Sequence, residues 1–138
     1  MRIHLVLVCA ALFLVTSSCG FAEGKDIAEK AMDQFHQQFN SEQYGEIYAA
    51  ADEQFKRSTS EAALTQLLGT VRRKIGTFKQ ARQMNFNIVS DANGTNVSMA
   101  YASEFTQGSA TEQFQYAIVG SKGFLIGYNI NSPDLILR

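Results

Sequence analysis

The chain is poor in the residues from which catalytic sites and covalent bracing are usually built. Its 138 residues include two cysteines, two histidines, one proline and no tryptophan. A metal centre of the common nitrogen and sulfur type needs several convergent His or Cys ligands, and a nucleophilic triad needs a base beside its nucleophile. Too few of either are present to form such a set, so no catalytic residues, no metal and no cofactor are implied. The single proline, Pro133, excludes proline-rich linkers. Neither sign of charge prevails: 12 basic and 13 acidic residues give a formal charge of −1, without the basic excess of a nucleic-acid-binding domain. The ten glycines include no phosphate-binding spacing. No apolar run reaches the roughly 20 residues that cross a bilayer.

What is present begins with a leader. Arg2, the apolar stretch Ile3 to Val15 broken only by His4, and the small residues Thr16, Ser17 and Ser18 have the anatomy of a secretory signal. Removing residues 1–18 takes Cys9 away and leaves Cys19 with no partner for an internal disulfide. Of the 12 basic residues one, Arg2, lies in the leader, leaving 11 against 13 acidic ones.

The stretch Val15-Thr16-Ser17-Ser18-Cys19 resembles the lipobox of bacterial lipoproteins, in which the cysteine is acylated and becomes the new N-terminus. The resemblance implies a signal peptide over residues 1–18, lipidation of Cys19, a short tether over 19–24 that contains "GFAEG", and one domain over 25–138. Acyl chains contribute about 0.8 kcal/mol per buried CH₂, enough together to hold a domain at a bilayer. The implied location is a membrane facing the periplasm, the outer membrane rather than the inner because Gly20 follows the cysteine. Cleavage after Ala22 is the alternative; it discards Cys19 and releases a soluble exported protein.

Helical periodicity comes first along the chain. Ile27, Ala28, Ala31, Met32, Phe35 and Phe39 recur at helical spacing after Asp26, and Tyr44, Ile47, Tyr48, Ala51 and Phe55 do so after Ser41. A third stripe, Leu64, Leu67, Leu68, Val71 and Ile75, follows Ser58 and Glu61, spaced as a capping box, and ends at Gly76.

Beyond Gly76 the period becomes two. Phe78, Met84, Phe86 and Ile88 share a face, as do Val97, Met99, Tyr101 and Phe105, then Phe114, Tyr116 and Ile118, then Phe124, Ile126, Tyr128 and Ile130. Four such runs predict an antiparallel meander, giving an α+β class with about three helices packed on a four-stranded sheet. Asn93-Gly94 and Gly108-Ser109 suit two-residue turns, and Ser121-Lys122-Gly123 a three-residue turn. That register predicts inner-face rows of Ile88, Met99, Ile118 and Ile126; of Phe86, Tyr101, Tyr116 and Tyr128; of Met84, Ser103, Phe114 and Ile130; and of Arg82, Phe105, Glu112 and Ser132.

Helices leading into a meander, with "YASEFTQGSATEQFQY" over 101–116 and "GYNI" over 127–130, resemble a group of small exported bacterial proteins of unknown function. Those are similar in architecture to the nuclear-transport-factor-2-like and cystatin-like folds. The resemblance implies a curved sheet wrapped around helices, a possible pocket, and no transferable catalytic residues.

The candidate pocket is formed by Arg82, Tyr101, Ser103, Glu112, Tyr116 and Tyr128. Arg82 and Glu112 are the two charges expected to point inward, and unpaired buried charge is expensive, so they are expected to pair or to share a ligand. The three tyrosines need partners or water for their hydroxyls, and a tyrosine beside a carboxylate is one arrangement for acid–base work on a small molecule. His36, just off the first stripe, reads as a surface residue. Arg72, Arg73 and Lys74 complement a helix C-terminus and offer a secondary contact with anionic lipid. The outer sheet face, with Asn85, Asn87, Ala100, Ala102, Gln113, Gln115 and Asn129, is small or polar and little charged. It can be plain solvated sheet, or pack against a second copy or another envelope protein.

Three functions therefore stand: a lipid-anchored, non-enzymatic binding or interaction module, a small-molecule enzyme or ligand-binding protein using a Tyr/Glu-lined pocket on the concave sheet face, and a purely structural envelope protein.

Overall fold

The computed structural model describes residues 19–137; the leader expected over 1–18, with Cys9, lies outside the described residues. Helix α1 spans Cys19–Asn40, and the expected tether is its first turns. Glycines weaken a helix, but here tertiary contact outweighs propensity. Phe21 meets Phe86 edge-on at 5.6 Å, and Gly24 is buried where a β-carbon would lie 3.3 Å from Ile88 Cδ1. Further along, Ala28, Met32, Phe35 and Phe39 are buried at the spacing that keeps one helical face on a core.

The second expected helix is two short ones, α2 over Tyr44–Ala49 and α3 over Glu53–Ser58. Asp52 breaks it. Its side chain accepts from Gln54 N at 2.7 Å as an N-cap, and its own N–H donates to Leu125 O at 2.9 Å, leaving it unavailable to a continuous helix. Helix α4 covers Glu61–Ile75, capped by Ser60, whose hydroxyl accepts from Ala63 N at 3.1 Å. Ser58, the expected cap, instead donates to Phe55 O. Gly76 ends α4 at φ 87°, where a β-carbon would fall 2.0 Å from Thr106 Oγ1.

Strands β1 (Phe78–Asp91), β2 (Gly94–Phe105), β3 (Gly108–Val119) and β4 (Lys122–Asn131) form an open antiparallel sheet in that order, followed by the short helix α5 (Pro133–Leu137). The architecture is α+β, helices followed by a four-stranded antiparallel meander. The loops are Ala92-Asn93, Thr106-Gln107 and Gly120-Ser121, each closer to the N-terminus than the turn chemistry predicts. Gly108 serves packing instead: a β-carbon there would lie 2.9 Å from Ile75 Cγ2 and 2.8 Å from Asp134 Oδ2.

The shifted loops and three one-residue bulges, at Lys79, Met84 and Ile126, redraw the rows. Ile88, Val97, Tyr116 and Leu125 align, as do Phe86, Met99, Phe114 and Tyr128, then Gln83, Tyr101, Glu112 and Ile130. Between the two β1 bulges the alternation is inverted. Arg82 therefore pairs with Ala102 on the outer face and is exposed, against the expectation that it points inward. Met84, also expected inside, is 56% exposed. At the β4 bulge Leu125 takes the buried position assigned to Phe124 and Ile126.

Helix α1 crosses the inner face, with its start beside Phe86 and Ile88 and its end tied to Phe78, whose backbone N–H donates to Asn40 Oδ1 at 2.8 Å. Among the described residues no helix is long and apolar enough to cross a membrane.

Candidate functional site

Even positions of β3 face the core, and this places Glu112 among Ala110, Phe114 and Tyr116 with only 1% of its surface exposed. Three elements supply donors to it. Ser103 of β2 donates to Oε2 at 2.6 Å, Tyr128 of β4 donates to Oε1 at 2.7 Å, and His36 Nε2 of α1 lies 2.8 Å from Oε2. A carboxylate can only accept, so placing the imidazole hydrogen on Nε2 would give the group a third hydrogen bond beside those from Ser103 and Tyr128, an assignment made from this pattern of partners. That is what a buried carboxylate requires, because water is lost on both sides of it.

His36, expected at the surface, is 3% exposed. Its ring stacks on Phe78 at 3.6 Å between centroids with planes 3° apart, and meets Phe114 edge-on at 5.5 Å. Phe35, one residue earlier on α1, packs on Tyr128 at 4.8 Å. The polar group is thus enclosed by aromatic rings. His36 Nδ1 and the Tyr116 hydroxyl are buried without a hydrogen-bond partner among the described residues.

Of the six expected pocket residues, Ser103, Glu112 and Tyr128 meet directly. Tyr116 lines the same core but bonds to none of them, and Tyr101 points to α1, where its hydroxyl donates to Glu29 Oε1 at 3.4 Å. The tyrosines do not share a row; they occupy three. Burial raises the Tyr128 phenol well above its ordinary value, reinforced by the Glu112 charge and by the hydrogen bond to it. Burial likewise raises Tyr116, with Glu112, Asp33 and Tyr101 adding to it. Tyr101 is pushed up to about 12, by burial first and then by Glu29. All three phenols are held neutral.

His36 carried a signal in the sequence. It lies four residues after Met32 and next to Phe35, within a wide apolar stripe, on the helix that must cover a sheet bearing one inward carboxylate. The two facts point to each other only when helix and sheet are considered together.

General acid–base chemistry requires the group to reach a reacting atom at hydrogen-bond distance. Glu112, Ser103 and His36 are at most 3% exposed, and their contacts are with one another and with aromatic rings. The arrangement ties α1 to β2, β3 and β4. An open groove of about 530 Å³ lies at one end of the sheet, lined mostly by the outward residues Gln80, Arg82, Ala102, Glu104, Thr111 and Asn131, and also by Ser103, whose hydroxyl turns inward to Glu112. Glu104 accepts from Gln80 Nε2 at 2.7 Å.

The basic cluster at the end of α4 is engaged in structure. Arg72 donates to Asn40 O at 2.9 Å, closing the end of α1, Arg73 bonds Thr70 Oγ1 at 3.0 Å, and Lys74 donates to Leu135 O. Arg72 therefore sits at the far end of α1 from Cys19, about 32 Å along a helix of this length. Among the described residues no group of three or more His, Cys, Asp or Glu is placed to hold a metal ion.

No family model matches the chain, and no curated protein matches it.

Proposed function

We propose that the chain is a non-enzymatic binding or interaction module of the bacterial cell envelope, held at a membrane by acylation of Cys19 and facing the periplasm. The observation that carries this reading is the contrast between the two sheet faces. The groups able to move protons are sealed beneath α1, with Glu112 and Ser103 at 1% exposure and His36 at 3%. The opposite face is bare, little charged and grooved. A molecule organised this way leaves a substrate little beyond the half-buried Tyr128 to approach, but offers a partner a broad surface.

The leader's pattern and the small residues before Cys19 support the anchor, and Gly20 favours the outer membrane. Because residues 20–24 belong to α1, the acylated end would continue directly into the helix that crosses the sheet, holding the domain close to the bilayer. Helices preceding an open meander, with one long helix across its inner face, support grouping the domain with nuclear-transport-factor-2-like and cystatin-like architectures.

The test is the intact mass of the chain recovered from membranes of its source cells. A polypeptide starting at Cys19 with added acyl mass is expected. A bare chain starting at Glu23 would overturn the anchor and make this a soluble exported protein.

A further inference from the structure

We propose that the outer face of the sheet is the interface of a homodimer, in which two copies stack face to face. The inference deepens the interaction-module reading by naming the partner, and four observations carry it.

The first is exposure. Asn85, Asn87, Gln113, Gln115 and Asn129 stand exposed across β1, β3 and β4, so the face is uncovered over its width. The second is charge. The central positions carry none; the charges stand at the two ends of the face, Arg82 with Glu104 at one and Asp91 and Lys122 at the other, each end holding both signs. A face built to stay in water normally intersperses many charges of both signs, whereas interface cores are depleted of them because desolvating a charge costs far more than desolvating an amide.

The third is shape. Along β2 the outward residues Ser98 and Ala100 are small, flanked by the taller Asn85 and Asn87 on β1 and Gln113 and Gln115 on β3, and they floor a trough of about 220 Å³. The next outward residue, Ala102, lines the 530 Å³ groove. Gln115 lies across Gly127 of β4, so Gln113 is the side chain that can enter the facing copy's trough across a two-fold axis. Side-chain amides suit this chemically, because each both donates and accepts and so pairs with its own kind.

The fourth is area. Strands of 10 to 14 residues give a face about 35 Å long, and four strands about 4.8 Å apart make it about 19 Å wide. Stacking two such faces covers roughly 650 Å² on each copy, about 1,300 Å² in total, which lies within the range of stable specific interfaces.

Sedimentation velocity of the mature chain, in detergent if it carries acyl groups, decides the matter. The chain is expected to sediment at twice its monomer mass at about 100 µM, a concentration high enough to fill a weak interface, since area alone does not fix affinity. Ala100→Arg, which fills the trough with a charge, is expected to give a monomer that melts at the same temperature once dissociation is allowed for. Gln115→Lys, at an exposed position, serves as a second variant should Ala100→Arg fold poorly. A native chain that stays monomeric at about 100 µM, or variants that remain dimeric, would overturn the proposal. A monomer that co-purifies with a different protein would also overturn it. Failure here is distinct from failure of the anchor: an acylated monomer removes the dimer and keeps the envelope reading, and an unacylated dimer does the reverse.

Discussion

The two faces of one sheet follow opposite rules. The inner face concentrates its polarity at a single point, where the Glu112 carboxylate takes three hydrogen bonds inside a shell of Phe78, Phe114 and Phe35. The outer face spreads its polarity thinly over amides and hydroxyls exposed in the single chain, with its charges toward the ends of the strands. Burial makes the difference energetic: an unmet polar group costs little outside and several kcal/mol inside. Mutations of similar size should therefore have very different effects on the two faces, and this can be tested in descending order of effect.

The largest effect is expected from Glu112→Ala. It orphans donors on His36, Ser103 and Tyr128 at once and should lower unfolding free energy by about 3–5 kcal/mol in urea titration, since each buried donor left unsatisfied costs about 1–3 kcal/mol. A loss no greater than that of an exposed substitution would show that the network does not hold α1 to the sheet. Next is Tyr128→Phe, which removes one hydrogen bond to a charged group and should cost about 1.5–3 kcal/mol in the same titration. In a double-mutant cycle, Glu112→Ala and Tyr128→Phe should be non-additive, because they share one carboxylate.

An alkaline effect follows. The Tyr101 phenol is pushed up to about 12 in the folded protein, mainly by burial, against about 10 in the unfolded chain. Folding therefore favours the neutral phenol. The resulting stability is fully present below about pH 10 and is lost as the pH rises through about 12. The melting temperature should fall steeply over that window, and Tyr101→Phe should make the fall shallower; an identical pH profile in the variant would remove Tyr101 from the account. The smallest effect is expected on the outer face, where Asn87→Lys should change the unfolding free energy of the dissociated monomer by less than about 0.5 kcal/mol. A larger loss there would mean that the bare face contributes to the fold of the single chain.

The alternation of the strands was legible because it is a local property. In β2 the odd positions Val97, Met99, Tyr101, Ser103 and Phe105 are buried, and in β3 the even positions Ala110, Glu112, Phe114 and Tyr116. Each run of apolar residues at period two declares its own inner side. Register is a relation between two strands and was misread at all three hairpins. A glycine beside a turn need not be in it: Gly108 is needed where Ile75 and Asp134 come too close for a side chain. Arg82 turns outward for a related reason: a one-residue bulge at Met84, seen only in the pairing with β2, inverts the strand there.

His36 shows the same limit at the site. A lone histidine beside an apolar stripe reads as exposed on its own. Only the arrival of β3 beneath α1, 76 residues later in the chain, brings a carboxylate within 2.8 Å of it.

The sequence by itself determined the helix-then-meander order, the inward direction of Glu112, Ser103 and Tyr128, and the low charge of the outer face, because periodicity and composition act over a few neighbouring residues. Tertiary structure alone decided which residues meet: His36 with Glu112, Arg82 turned outward, and residues 20–24 drawn into α1. Bulges, close backbone approach and the demand of a buried carboxylate for donors are set by contacts between distant segments, and no local pattern records them.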